Sequence, residues 1–114
     1  MFTGNIKATT SEEGFTLNAT FYGEVTVNYS DIASAELVDK SISGVKVGGF
    51  NSARLLLGGF KNDELGSYTS FVYTGKSPSI ILRTNNDKII VIALENAEDT
   101  TALYNEIASS IGEN

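Results

Sequence analysis

"GVKVGGFNSARLLLGGFKNDELGSYTSFVY", residues 44–73, sets down Gly-Gly-Phe twice, at 48–50 and at 58–60. A glycine loop that cradles phosphate lies between a strand and a helix, with spacing such as G-x-G-x-x-G or G-x-x-x-x-G-K-[ST]. Gly48-Gly49 and Gly58-Gly59 fit neither pattern. The residues that follow, Phe-Asn-Ser and Phe-Lys-Asn, carry no helical periodicity. Glycines also let twisted strands bend, bulge and approach one another closely. The segment therefore reads as bent sheet.

The flanking sequence supports this. "NIKATT" alternates Ile6 and Ala8 with polar neighbours, and "GFTLNATFYG" alternates Phe15, Leu17, Ala19 and Phe21 with Thr16, Asn18 and Thr20. "EVTVNY" puts Val25, Val27 and Tyr29 on one face. This period of two marks half-buried strands. "SEEG" and the residues around Gly23 signal turns between them. "YSDIASAELVD" reads as a turn at Ser30-Asp31 and then a strand, and "TNND" at 84–87 as a hairpin between "SIILRT" and "KIIVIAL". From Asn96 the period changes. Leu103, Ile107 and Ile111 recur every four residues, which predicts one amphipathic helix. Asn96 suits its N-cap, Glu98 and Asp99 its first turn, and Gly112 its C-terminal cap.

The chain has 114 residues, 41% of them hydrophobic, enough for a core of its own and expected to form one domain over residues 1–114. It has no cysteine and no histidine, so disulfides, thiolate metal sites and the commonest general base are excluded. No cofactor or metal is expected. The net charge is −6 and the eight basic residues are scattered, which disfavours nucleic acid and allows at most indirect contact with a membrane. "MFTGNIKATT" does not read as a signal peptide, and no apolar run reaches the roughly 20 residues that span a bilayer. A cytoplasmic location is expected. The acidic neighbours Glu12-Glu13, Asp63-Glu64 and Glu98-Asp99 fall in predicted turns and a first helical turn, where they read as solvated surface. "DELGS" lacks the spacing of a calcium loop. With no Gly-x-Ser-x-Gly elbow either, an enzyme is not expected.

The glycine-rich segment, the strand carrying Arg83, the hairpin, the last strand and the helix together resemble the bacterial pleckstrin-homology-like (PH-like) domains. Gly48, Gly49, Gly58, Gly59, Phe60, Gly66 and Tyr73 occupy the places of that family's glycine-rich pattern, and the likeness covers residues 44–107. Similar sequences often begin the helix with proline, where Ala97 stands here. The resemblance implies a mainly β fold: a strongly bent antiparallel sheet or barrel of about seven strands, capped by one C-terminal helix. It implies no enzymatic activity. Phosphoinositide readers of related fold use basic residues clustered on an early hairpin, whereas here Lys7 stands among Glu12, Glu13 and Glu24, so that role does not carry over.

Two features point to partners. Aromatic residues (Phe50, Phe60, Tyr68, Phe71, Tyr73) crowd the glycine-rich segment beside basic ones. Arg54, Lys61, Tyr68 and Lys46 are the candidate binding residues for a protein or peptide, since Arg and Tyr favour such hot spots. In addition, Ile80-Ile81-Leu82 and Ile89 to Leu94 are apolar on both faces, whereas a one-sided strand alternates. The helix or the glycine-rich segment is expected to cover the second face. Otherwise another copy of the chain does so, with Ile90 and Ile92 at the interface of a homo-oligomer. A small-molecule or lipid-headgroup binder is the remaining alternative.

Overall fold

The structure, a computed structural model, describes residues 5–20, 22–52 and 54–112. These form nine strands and one helix: β1 (Ile6–Thr10), β2 (Gly14–Ala19), β3 (Gly23–Asn28), β4 (Ile32–Val38), β5 (Val45–Asn51), β6 (Leu55–Asn62), β7 (Gly66–Tyr73), β8 (Ser79–Thr84), β9 (Ile89–Ala93) and α1 (Ala97–Ser110). The chain is thus mainly β with a C-terminal helix, as expected. Nine strands replace the expected seven or so, and they form two sheets and no closed barrel. β1-β2-β3 make a meander, and the second sheet runs β4-β8-β9-β7-β6-β5. Pairing is antiparallel except between β7 and β9, which are parallel. The parallel pair arises because the β8–β9 hairpin folds back and inserts β9 beside β7.

Local chemistry sets the corners. In the β8–β9 hairpin Asp87 takes a left-handed φ of 65°, and the Thr84 hydroxyl accepts bonds from the Asn86 and Lys88 amides. Tyr29–Asp31 form a single 3₁₀ turn where the chain leaves the first sheet for the second. Phe21, assigned to the β2 alternation, lies outside the described residues.

The doubly apolar strands are explained by two cores. Leu55, Leu57, Phe71, Tyr73, Ile80, Leu82 and Ile92 face one way, into a core shared with Phe15 and Leu17 of β2 and Leu103 and Ile107 of α1. Their alternates, Phe60, Tyr68, Val72, Ile81, Val91 and Ala93, face the other way into a second cluster with Ile42. The six-stranded sheet is a middle layer, and continuous apolar runs follow from burial on both faces. On the second face the β4–β5 connector, residues 39–44, lays Ile42 into this cluster, where the helix or the glycine-rich segment was expected. Ile42 is 3% exposed. Asn62 Nδ2 donates to Ser43 O at 3.0 Å, and Ser79 Oγ donates to Lys40 O at 2.8 Å, fixing the connector at both ends. Lys40 and Glu64 add an exposed ion pair at 2.8 Å.

The glycines of the opening stretch meet one another. Gly48 pairs with Gly59 and Gly49 with Gly58, next to a register shift between Lys46 and Gly48. Gly49 and Gly58 have φ of 118° and 98°, and a Cβ on Gly49 would stand 2.3 Å from Leu57 O. They bend the sheet, as the sequence indicates. The gap they leave admits Tyr22, whose ring meets Phe71 edge-on at 5.4 Å.

Substituting Gly49→Val should therefore cost roughly 2–4 kcal/mol, from a disfavoured φ and a backbone clash. At Gly48 a Cβ would meet nothing within 4 Å and the φ is not left-handed, so alanine should be accepted there with a change within about 0.5 kcal/mol. Urea denaturation of both variants checks the contrast, and equal losses would contradict it.

Candidate functional site

A groove of about 680 Å³ runs between β1 and α1. One wall is β1, Ile6 to Thr10, and the other is the flank of the helix that carries Asp99, Ala102, Leu103 and Glu106; Tyr73, Glu95 and Asn96 lie at one end. The helix is held there by its apolar stripe, with Leu103, Ile107 and Ala108 buried. Its entry is pinned by Thr100, whose hydroxyl accepts the Leu94 N–H at 2.9 Å and donates to Asn96 O at 3.3 Å. Asn96 occupies the N-cap position, but its side chain makes no capping bond. It donates instead to Asp99 Oδ2 at 3.3 Å, while the Asp99 and Thr100 amides turn to Asn96 O. At the other end Gly112 follows the helix with a φ of 78°, as its cap role requires.

β1 is an edge strand. Asn5 O accepts the Thr20 amide, so Asn5, Lys7 and Thr9 direct their backbone groups towards β2. Ile6, Ala8 and Thr10 then point theirs the other way. Tyr73 takes the first of these positions: its hydroxyl accepts the Ile6 N–H at 2.8 Å and donates to Ile6 O at 3.4 Å. Beyond it, the Ala8 and Thr10 backbone groups face the groove, and no strand among the described residues pairs with that edge.

Arg54 stands at the closed end. Its guanidinium donates to Glu95 Oε2 at 3.1 Å and Asn5 Oδ1 at 3.3 Å and lies 5.0 Å from the centre of the Tyr73 ring. The ion pair is largely exposed and contributes little to stability by itself. It joins four distant parts of the chain: the β5–β6 turn, the start of β1, the end of β7 and the β9–α1 corner.

The other candidate residues lie elsewhere. Lys46 and Lys61 are exposed on neighbouring rungs of the β5–β6 ladder. Tyr68 is 4% exposed, stacked against Phe60 at 6.2 Å, and it lines a smaller hollow of about 380 Å³ with Val47, Lys88 and Ile89. The four residues therefore do not form one site, because the sheet carries Arg54 to one end and the lysines to another edge. The side chain of Phe50 lies outside the described set. Ile92 is 0% exposed and Ile90 is half-buried against the first core. Its own chain covers Ile92, which leaves that residue no surface for a second copy, and covers Ile90 in part. No cluster of three or more acidic side chains suited to a metal occurs among the described residues, and no helix among them is long and apolar enough to cross a membrane. Of the groove residues, Thr10, Ala102 and Glu106 went unread in the sequence, and Ala8 entered it only as part of the β1 alternation. Asp99, Ala102 and Glu106 do recur at helical spacing beside the apolar stripe, a signal that marks the wall once a neighbour is known.

The bacterial PH domain family matches residues 6–107. The chain belongs to that family. No curated protein and no solved structure matches it. The match runs from the first residue of β1 to Ile107 of α1, so both walls of the groove fall within the bacterial PH domain.

Two outcomes are expected here. Tyr73→Phe removes both bonds to Ile6 and should cost about 1–2 kcal/mol, with the Ile6 amide losing protection in hydrogen exchange before its neighbours in the β1–β2 ladder. Burial raises the Tyr68 phenol above its ordinary value of 10.0. The unfolded chain then loses this proton first as pH climbs past 10, so the stability linked to Tyr68 is intact below pH 10 and declines above it. Because its hydroxyl has no hydrogen-bond partner among the described residues, Tyr68→Phe should leave stability at neutral pH unchanged or higher and flatten the alkaline decline. A steeper decline in the variant would contradict this assignment.

Proposed function

We propose that this bacterial PH domain is a non-enzymatic interaction module that docks a protein or peptide partner in the β1–α1 groove. The carrying observation is the free edge of β1, with the Ala8 and Thr10 backbone groups turned into a groove whose far wall is a helix. An added strand gains main-chain hydrogen bonds on such an edge, and pockets beside it select side chains. Chemistry fits the groove less well. General acid–base work needs carboxylates converging across a pocket, and Glu95, Asp99 and Glu106 all come from the helix side, with Lys7 the charged residue on β1. Arg54 keeps its place in this reading as the residue that holds the closed end.

A second reading, self-association, is supported by another edge. β5 ends the six-stranded sheet, and its Val45 and Val47 are 66% and 65% exposed. In this reading the two valines stand in place of the buried Ile92 as residues through which a homo-oligomer would form.

Selection from a random peptide display library tests the first reading. Ala102 is exposed on the groove wall, so Ala102→Trp fills the groove without entering the core. Ala8→Pro removes a donor from the free edge while sparing the β1–β2 ladder. Peptides selected on the native protein should lose binding to both variants, with folding verified by circular dichroism. Undiminished binding to both would move the site elsewhere.

A further inference from the structure

We infer that the occupant of the groove is an extended segment bearing lysine or arginine at alternate positions, added to β1 as a fourth strand of the small sheet; this rests on the groove being the docking site. Three observations carry it. First, the Tyr73 hydroxyl already satisfies the Ile6 N–H and C=O, so the open ladder starts at Ala8 and continues to Thr10. An incoming strand pairs with these two positions and stops at Tyr73. Second, the charges of the groove are unequal. Glu95, Asp99 and Glu106 stand against Lys7. Glu95 is paired with Arg54 at the closed end, and among the described residues Asp99 receives the Asn96 side-chain amide on Oδ2 and no cation. Asp99 and Glu106 are thus exposed carboxylates along the wall that an added strand would face. Third, the spacing suits a strand. Seven residues of helix separate Asp99 from Glu106 by roughly 10 Å along the axis, and same-face residues of a strand repeat at roughly 7 Å. Two long, flexible cationic side chains two residues apart span that difference. The chain's net charge of −6 adds long-range attraction for the same ligand.

The test uses three labelled pentapeptides, Val-Lys-Val-Lys-Val, Val-Ser-Val-Ser-Val and Val-Glu-Val-Glu-Val, blocked at both ends and titrated with the full chain by fluorescence anisotropy. The lysine peptide should bind about fivefold tighter than the serine peptide at low salt. The advantage should shrink in about 0.5 M salt, and the glutamate peptide should bind weakest. The double variant Asp99→Asn/Glu106→Gln should erase the lysine preference and keep the affinity for the serine peptide. Ala8→Pro and Ala102→Trp should each abolish binding of both. Equal binding of the three peptides, or a lysine preference that survives the double variant, overturns the basic-segment assignment; if Ala8→Pro and Ala102→Trp still abolish binding, docking in the groove stands. Binding indifferent to those two variants, or no binding of any peptide, overturns the assignment together with the groove reading.

Discussion

The six-stranded sheet is apolar on both faces, and this constraint organises the rest of the molecule. A sheet exposing Ile81, Val91, Val72 and Phe60 to water would present a broad sticky surface. One face is closed by the three-stranded meander and the helix. Over the other runs a connector of six residues, 39–44, with Ile42 packed into the cluster. The topology makes this cover economical. β4 and β5 are consecutive in sequence yet lie at opposite edges of the sheet, so any chain joining them must cross a face. A flat sheet of six strands would set those edges roughly 24 Å apart. That is about the full reach of the seven residue steps from Val38 to Val45, with nothing left for the bend at Asp39-Lys40. The crossing therefore requires a curled sheet.

The glycines supply curl on the β5–β6 side. Two Gly-Gly pairs facing each other across one ladder remove four side chains from a single patch, and left-handed φ at Gly49 and Gly58 turns both strands together. The same bareness gives Tyr22 a seat against Phe71 and ties the meander's hairpin to the large sheet. One sequence feature thus serves three packing demands: curvature, a shorter crossing for the connector, and a contact between the sheets. A phosphate cradle would need none of these, and its helix is missing after both glycine pairs.

Much of this was legible in the residues because short-range physics decides it. The alternation in β1 to β3, the Asn-Asn-Asp hairpin and the four-residue stripe of α1 each report a local period. The resemblance carried by Gly48, Gly49, Gly58, Gly59 and Tyr73 also led to the family. What could not be read depends on long-range partners. "DKSISG" has the composition of an ordinary loop, and only the strand order turns Ile42 into a core residue. Ile92 looked available because a single sequence does not say how many layers a sheet has. The candidate site was legible in part. Arg54 lies at the groove, where its side chain joins segments 41 and 49 positions away. Lys46 and Lys61 were carried away from it by the β5–β6 ladder, and Tyr68 lies buried on β7.

Four strands end a sheet, β1, β3, β4 and β5; of these, β1 and β5 carry the two docking readings, and what surrounds them favours β1. β5 exposes valine side chains to open solvent, and its ladder is broken by a register shift at Lys46–Gly48. Natural sheets use such irregularities to discourage pairing. β1 is regular in register across all five residues. It is stopped at one end by a tyrosine hydroxyl and flanked along its length by a helix that leaves space beside it. An edge protected against promiscuous pairing would be covered, bulged or made of charged residues. β1 instead keeps a regular register beside a groove walled by the helix, and the proposed docking of an extended chain would use that edge. That combination of an open ladder and a restricted approach is what a selective strand-docking site needs.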